Sequence, residues 1–289
     1  MWQPLSFIRG FLDEYFADRW ARSSPERCRE GAVRARRLRE NLPVFSSEAA
    51  TTLRSQFDEL VARLPGGIDI NRVNNWHKAS RWFHDLCRTP VILDYVEDLI
   101  GPNFYQWGGQ FFVKYPHDGS QVPWHQDAQY WPLTPRRTVT VWLAMVDVDA
   151  DNAAMQVVGG SHRQGDFVHH VNDAPHLVLE QEVDVELIDA ARVVTLDLKA
   201  GEISLHDDGL RHGSGANDSD PLRAGLTMRY CPTEVKFDLA VWPTFEAYMA
   251  RGVDEFQLNP PGVIPTGERY PVRKFQHSKD FLTVAIRSN

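Results

Sequence analysis

The sequence predicts a mainly β protein with flanking helices (α+β), built around a jelly-roll core. Two observations carry that prediction. From Phe104 onward, short stretches alternate in side-chain character or are rich in β-branched residues, with Gly, Pro, Asp and Asn between them. Before Phe104 the pattern is helical, marked by capping and stop signals. Many short strands without long intervening helices suggest a jelly-roll sandwich with a site in its mouth.

In chain order, Trp2, Phe7, Phe11, Tyr15 and Trp20 recur at near-helical intervals, and Arg27, Arg29, Arg34, Arg36, Arg37 and Arg39 follow. An amphipathic helix packed on the domain with a solvated basic face is predicted within residues 1–41; a patch for an anionic partner is the alternative. Residues 47–64 read as a helix capped by Ser46 or Ser47, with Glu48 in its first turn and Pro65-Gly66-Gly67 as its stop. Thr89 as N-cap and Pro90 at the first helical position open another, which Gly101-Pro102 ends.

In the first β stretch Gln110, Phe112 and Lys114 alternate with Phe111, Val113 and Tyr115, and the former set is predicted to face inward. Further strands are predicted over 138–148, 155–158, 192–198, 202–205 and 222–230, and one helix over 244–249 before a proline-rich extended tail. Residues 163–191 are acidic and weakly periodic, and read as an insertion over the pocket. The expected organisation is one domain over 1–289. It has a helical buttress (1–102), a core (103–235) and a C-terminal extension (236–289).

The chain has 289 residues, 43% of them hydrophobic, enough for a sizeable core. Its net charge of −8 argues against a nucleic-acid partner. Cys28, Cys87 and Cys231 are odd in number and lack metal-ligand spacing, as expected of free thiols in a reducing compartment. No run reaches the length of a membrane helix, and no charged-then-apolar leader opens the chain. The expected location is cytoplasmic, without a membrane partner. Nothing in the sequence sets an oligomeric state.

The chemistry centres on Trp124-His125-Gln126-Asp127 and the distant His212. On a strand, His125 and Asp127 point to one face because side chains alternate. A second imidazole from another strand completes two histidines and one carboxylate, a set that suits Fe(II) and leaves coordination positions open. Zinc is the rival on ligand type, but a structural zinc site is closed by four ligands and no fourth is evident.

Trp124-His125-Gln126-Asp127 with Tyr130-Trp131-Pro132, Gly159-Gly160-Ser161-His162, His212-Gly213-Ser214 and the run from Arg223 to Tyr230 together resemble the phytanoyl-CoA dioxygenase family, over residues 70–235. The resemblance implies a double-stranded β-helix, or cupin-like jelly roll. It implies Fe(II) on His125, Asp127 and His212, and 2-oxoglutarate and O2 as cosubstrates. Arg223 is implied to hold the distal carboxylate of 2-oxoglutarate with help from Ser214, and Gln126 and Trp142 to line the cofactor site; Trp142 serves equally well as core. The implied reaction oxidises an unactivated carbon, by default through hydroxylation, releasing succinate and CO2. Desaturation, cyclisation or rearrangement would need the same residues, and a non-catalytic metabolite- or iron-binding protein is the reading from another class.

Gln110, Phe112, Tyr130 and Trp131 are the expected substrate-pocket residues of a small-molecule substrate, with closure of the core as the alternative for the aromatics. Lys114, Arg136, Arg137 and Arg163 suggest an anionic substrate, against plain surface solvation. Arg229 falls on Arg223's face by period, where an ion pair at the barrel rim is expected and contact with an anionic substrate is the alternative.

Overall fold

Phe111 shows how the sequence separates a sheet from the helices that cover it. It is fully buried, and Phe57, Trp76, Trp82 and Phe83 surround it with ring centroids 5.1–6.5 Å away. The computed structural model describes residues 38–66, 68–273 and 281–285. The predicted N-terminal helix lies outside them, except that its last residues are strand: β1 is Leu38–Pro43. Cys28 is likewise outside.

Helix α1, Ser47–Ala62, is capped by Ser46, whose side chain accepts from the Ala49 amide, and turns Phe57 and Leu60 inward. Helix α2, Arg81–Leu86, was not predicted. Ser80 caps it, and Glu268 accepts from the Trp82 amide at 2.8 Å. Helix α3, Pro90–Ile100, opens as predicted on Pro90 and ends at Gly101, whose φ of 88° suits a residue without Cβ. The Thr89 hydroxyl does not cap it; it donates to the Leu86 carbonyl at 2.8 Å.

The strands are β2 (Phe104–Lys114), β3 (Val122–His125), β4 (Val139–Ala144), β5 (Gln156–Val158) and β6 (Val193–Thr195). They continue with β7 (Glu202–Asp207), β8 (His212–Ser214), β9 (Arg223–Pro232) and β10 (Tyr248–Arg251). The predicted strand over 138–148 stops at Ala144. The side chains of Asp149 and Asn152 then bond neighbouring backbone groups, Asn152 donating to the Asp147 carbonyl, and form a turn.

The larger sheet runs β1-β7-β4-β9-β2-β10 and the smaller β3-β8-β5-β6, all antiparallel pairs. Register fixes two unlike faces on the larger sheet. Ile203, Leu205, Val141, Leu143, Leu226, Met228, Phe111 and Val113 share one face, and all are buried apolar residues. His206, Thr140, Trp142, Arg223, Thr227, Arg229, Lys114, Phe112 and Gln110 share the other. That second face looks toward the smaller sheet: Trp142 and Ala144 pack with Val157, Leu196 and Leu210. The two antiparallel sheets form the jelly roll.

The helix predicted over 244–249 is not formed. Tyr248 and Met249 instead pair with Gln106 and Tyr105 and cover the edge of β2. The open edge of β2 offers this segment backbone partners that a short helix would leave unpaired. A hairpin of Arg269–Arg273 with Phe281–Ala285 lies in the tail expected to be merely extended. The insertion at 163–191 contains a short pairing of His170–Val171 with Gln181–Glu182. It lies along β3, an edge of the smaller sheet: the Val183 amide donates to the Trp124 carbonyl at 2.7 Å. Cys87 and Cys231 are buried free thiols. No helix among the described residues is long and apolar enough to cross a membrane.

Candidate metal centre

His125 ends β3 and His212 begins β8, directly opposite it in register. Each ring is oriented by a backbone carbonyl two residues earlier. His125 Nδ1 donates to the Pro123 oxygen at 2.8 Å, and His212 Nδ1 to the Leu210 oxygen at 2.9 Å. That fixes the proton on Nδ1 and leaves both Nε2 atoms as lone-pair donors.

Asp127 is not on the strand, as the alternation argument supposed; it opens the 3-10 turn Asp127–Gln129. Gln126 before it is still extended (φ −115°, ψ 128°), so His125 and Asp127 nevertheless share a side. Asp127 Oδ1 is 3.6 Å from His125 Nε2, and the ligand atoms of His125, Asp127 and His212 lie within 4.8 Å of one another. The three residues are buried.

Two further residues support the carboxylate. The Thr140 hydroxyl donates to Asp127 Oδ2 at 3.1 Å, and His206 Nε2 lies 3.6 Å from the same oxygen. Thr140 was findable, since it is two residues from Trp142 on one strand. Burial would push the Asp127 carboxyl up. His125 and His206 beside it, with the charges of His212 and Arg229, hold it well below the usual carboxylate range. Burial, then His125 and His206, keep His212 neutral. Two imidazoles with free Nε2 atoms and one ionised carboxylate fit a divalent metal.

Arg223 opens β9 on the same face of the larger sheet. It is 2% exposed, its guanidinium lies 4.7 Å from the Trp142 ring centroid, and its Nε has no hydrogen-bond partner. Burial lowers its pKa to about 10, so it remains charged. Beside it, Lys114 Nζ donates to the carbonyls of Ser214, at 3.0 Å, and Gly215. Ser214 is buried two residues past His212.

Other expected site residues fall differently. Gln126 turns away from the metal ligands. Its amide donates to the Gly209 carbonyl at 2.8 Å and the Gly165 carbonyl at 3.0 Å and accepts from the Phe167 amide at 2.8 Å. It therefore anchors the insertion, with both amide hydrogens engaged by backbone carbonyls. Gln110 is on the site face, but its amide donates to the Asn71 carbonyl. Phe112 is half-buried on that face, and its carbonyl accepts from Arg223 Nη1 at 3.4 Å. Tyr130 lies edge-on to His125 at 5.8 Å and donates to the Gln181 carbonyl at 2.7 Å. Trp131 is buried edge-on against Trp107 at 4.7 Å.

The expected basic patch is not free. Arg136 pairs with Asp166, Arg137 with Glu234, Lys114 is held by carbonyls, and Arg163 also has a partner. Arg229, expected in a rim ion pair, is buried and forms no ion pair among the described residues.

Fold and site together define a class: a jelly roll carrying two histidines and one carboxylate, the metal set of non-haem Fe(II) oxygenases. The chain belongs to the phytanoyl-CoA dioxygenase family, whose model matches residues 25–225. It is 28% identical to the peroxisomal phytanoyl-CoA dioxygenase of Rattus norvegicus over 198 residues, 64% of this chain and 56% of that protein. It is 27% identical to the probable alpha-ketoglutarate-dependent hypophosphite dioxygenase of Stutzerimonas stutzeri over 177 residues, 60% of this chain and 59% of that one. The chain thus spans little more than half the length of these relatives. Among solved structures, the apo form of the non-heme monooxygenase ThoJ superposes with a TM-score of 0.67 at 25% identity, covering 81% of this chain and 87% of that one.

Proposed function

We propose that this protein is an Fe(II)- and 2-oxoglutarate-dependent dioxygenase that hydroxylates an unactivated carbon of a small metabolite, with release of succinate and CO2. The observation that carries the reading is the convergence of two Nδ1-anchored imidazoles and Asp127 on the sheet face that also buries Arg223. Family membership supports it, as does the cosubstrate named for the Stutzerimonas relative.

His125 Nε2, Asp127 Oδ1 and His212 Nε2 would hold the metal. Iron supplies the oxidation chemistry when bound, with 2-oxoglutarate and O2 as its cosubstrates. Arg223 would take the distal carboxylate of 2-oxoglutarate in a charge-assisted pair, with Trp142 as its floor. Thr140 keeps Asp127 from rotating, and the two packed sheets exclude water from Arg223. The buried free thiols Cys87 and Cys231 fit a reducing compartment such as the cytoplasm.

The test is calorimetric titration of 2-oxoglutarate onto Mn(II)-loaded protein, followed by a metabolite screen of the Fe(II) form for substrate-dependent succinate. Binding and one succinate per oxidised product are expected. Failure of 2-oxoglutarate to bind the metal-loaded protein would overturn the reading.

A further inference from the structure

Arg229 is a buried cation without an anion of its own. It lies six residues after Arg223 on β9, opposite Thr140 of β4 and Gly108 of β2. It is 9% exposed, its Nε has no hydrogen-bond partner, and it makes no ion pair among the described residues. The carboxylate whose charge acts on it is Asp127. Asp127, though, faces His125 with Oδ1 and Thr140 with Oδ2. A guanidinium taken out of water without a counter-charge is costly, and the cost is recovered only when an anion arrives.

The surroundings hold this guanidinium in place. Its Cζ lies 5.1 Å from the centroid of the Trp131 ring. Trp131 is backed by Trp107, whose ring meets it edge-on at 4.7 Å. A bulge between Arg229 and Tyr230 puts Trp107 beside Gly108 in the extra position of β2, and so into this cluster. Gly108 leaves room for the arginine stem: a Cβ there would come within 3.1 Å of Arg229 Cδ. An aromatic ring thus supports one face of the guanidinium, and its in-plane N–H groups remain for a planar acceptor.

We propose that Arg229, seated on Trp131, binds a carboxylate of the primary substrate and thereby sets its orientation beside the metal centre. The inference rests on the dioxygenase reading and adds a substrate class to it. Charge decides between a monoanion and a dianion. Fe(II), Asp127 and a 2-oxoglutarate dianion together carry one net negative charge, which Arg223 balances. Lys114 Nζ, opposite Arg223, is already engaged by the carbonyls of Ser214 and Gly215. Arg229 then remains as one positive charge, which a carboxylate balances and a phosphate dianion would overbalance. The same guanidinium chemistry would serve a carboxylate of 2-oxoglutarate, so the two sources are separated by experiment.

Protein loaded with Mn(II) and saturating 2-oxoglutarate is titrated calorimetrically with hexanoate and benzoate, and with hexanamide and benzamide as uncharged counterparts. In the wild type, at least one carboxylate is expected to bind about tenfold or more tightly than its amide. Arg229→Met should abolish that preference, Arg229→Lys should keep part of it, and 2-oxoglutarate affinity should stay within about twofold in both. Equal binding of acid and amide to the wild type would overturn the proposal. So would a preference that survives in Arg229→Met. A fall of about tenfold in 2-oxoglutarate affinity in Arg229→Met would assign Arg229 to the cosubstrate instead. If 2-oxoglutarate does not bind the wild type at all, the dioxygenase reading fails. The same titrations on the Mn(II)-only protein then judge Arg229 by itself.

Discussion

Lys114 stands directly opposite Arg223 in the β2–β9 ladder, and its amine ties that ladder to the carbonyls of Ser214 and Gly215 at the end of the strand that carries His212. One side chain therefore links the Arg223 end of the site to the metal end. Its environment also sets its charge. Burial, then Arg223, lower its pKa from an ordinary 10.5 to about 6, against a weak opposing effect of Asp118.

Lys114 should therefore impose a pH dependence on stability. Between the folded value of about 6 and the unfolded value of 10.5, the unfolded chain binds the proton and the folded chain does not. Stability should rise with pH across that window, by up to about 1.4 kcal/mol per unit. Below it both states are protonated and the contribution is flat. Urea unfolding of the metal-free protein from pH 6 to 9 measures this. Lys114→Met should flatten the rise; parallel curves for the two proteins would mean that the lysine stays charged when buried.

Metal affinity should depend on Thr140 as well as on the three ligands. His125→Ala, Asp127→Ala and His212→Ala each remove a donor atom and should abolish tight Fe(II) or Co(II) binding. Thr140→Val leaves the donors in place but frees Asp127 Oδ2, which should weaken binding by about 10- to 100-fold. Chelator competition reads both effects. Wild-type affinity in Thr140→Val would show that His206 and burial alone orient the carboxylate.

Arg223→Met should weaken 2-oxoglutarate binding by about 2–5 kcal/mol while leaving Mn(II) affinity unchanged. Arg223→Lys should recover little, because an ammonium neither stacks on Trp142 nor pairs in bidentate fashion. Calorimetry on the two variants decides it, and unchanged 2-oxoglutarate binding would take the role away from Arg223.

What the sequence showed of this site is what local periodicity can carry. The face shared by Gln110, Phe112 and Lys114 followed from alternation along one uninterrupted strand, and so did Arg223 with Arg229. The inward turn of Asp127 did too, but only because Gln126 stays extended before the chain leaves the strand. Contacts between distant segments were not legible. Gln126 looked like a cofactor residue until the insertion supplied Gly165 and Phe167 as its partners. Arg136 and Arg137 looked like free cations because Asp166 and Glu234 lie 30 and 97 residues away. Tyr248 reads as well in a helix as in a strand, and the open edge of β2 settled it.

Gly225 should prove necessary to the Arg223 pocket although it has no side chain to offer. It lies between Arg223 and Thr227 on the site face, in register with Ala144 of β4 and Phe112 of β2. The Trp142 ring passes directly over it: an added Cβ would sit 1.9 Å from Cζ2 and 2.4 Å from Cε2. Trp142 is 3% exposed and packed among Ala144, Val157 and Leu210, so the ring has little room to retreat. Arg223 stacks on that same ring. Gly225→Ala should therefore destabilise the protein by about 1–3 kcal/mol, as overpacking does, and weaken 2-oxoglutarate binding by displacing the floor under Arg223. Gly215→Ala is the matched control, since nothing lies within 4 Å of the Cβ it would add. Trp142→Leu removes the atoms that the new methyl would meet. In that background Gly225→Ala should cost at least about 1 kcal/mol less than in the wild type. Equal costs in the two backgrounds, measured by urea unfolding, would show that Gly225 is required by the backbone of β9 and not by the tryptophan.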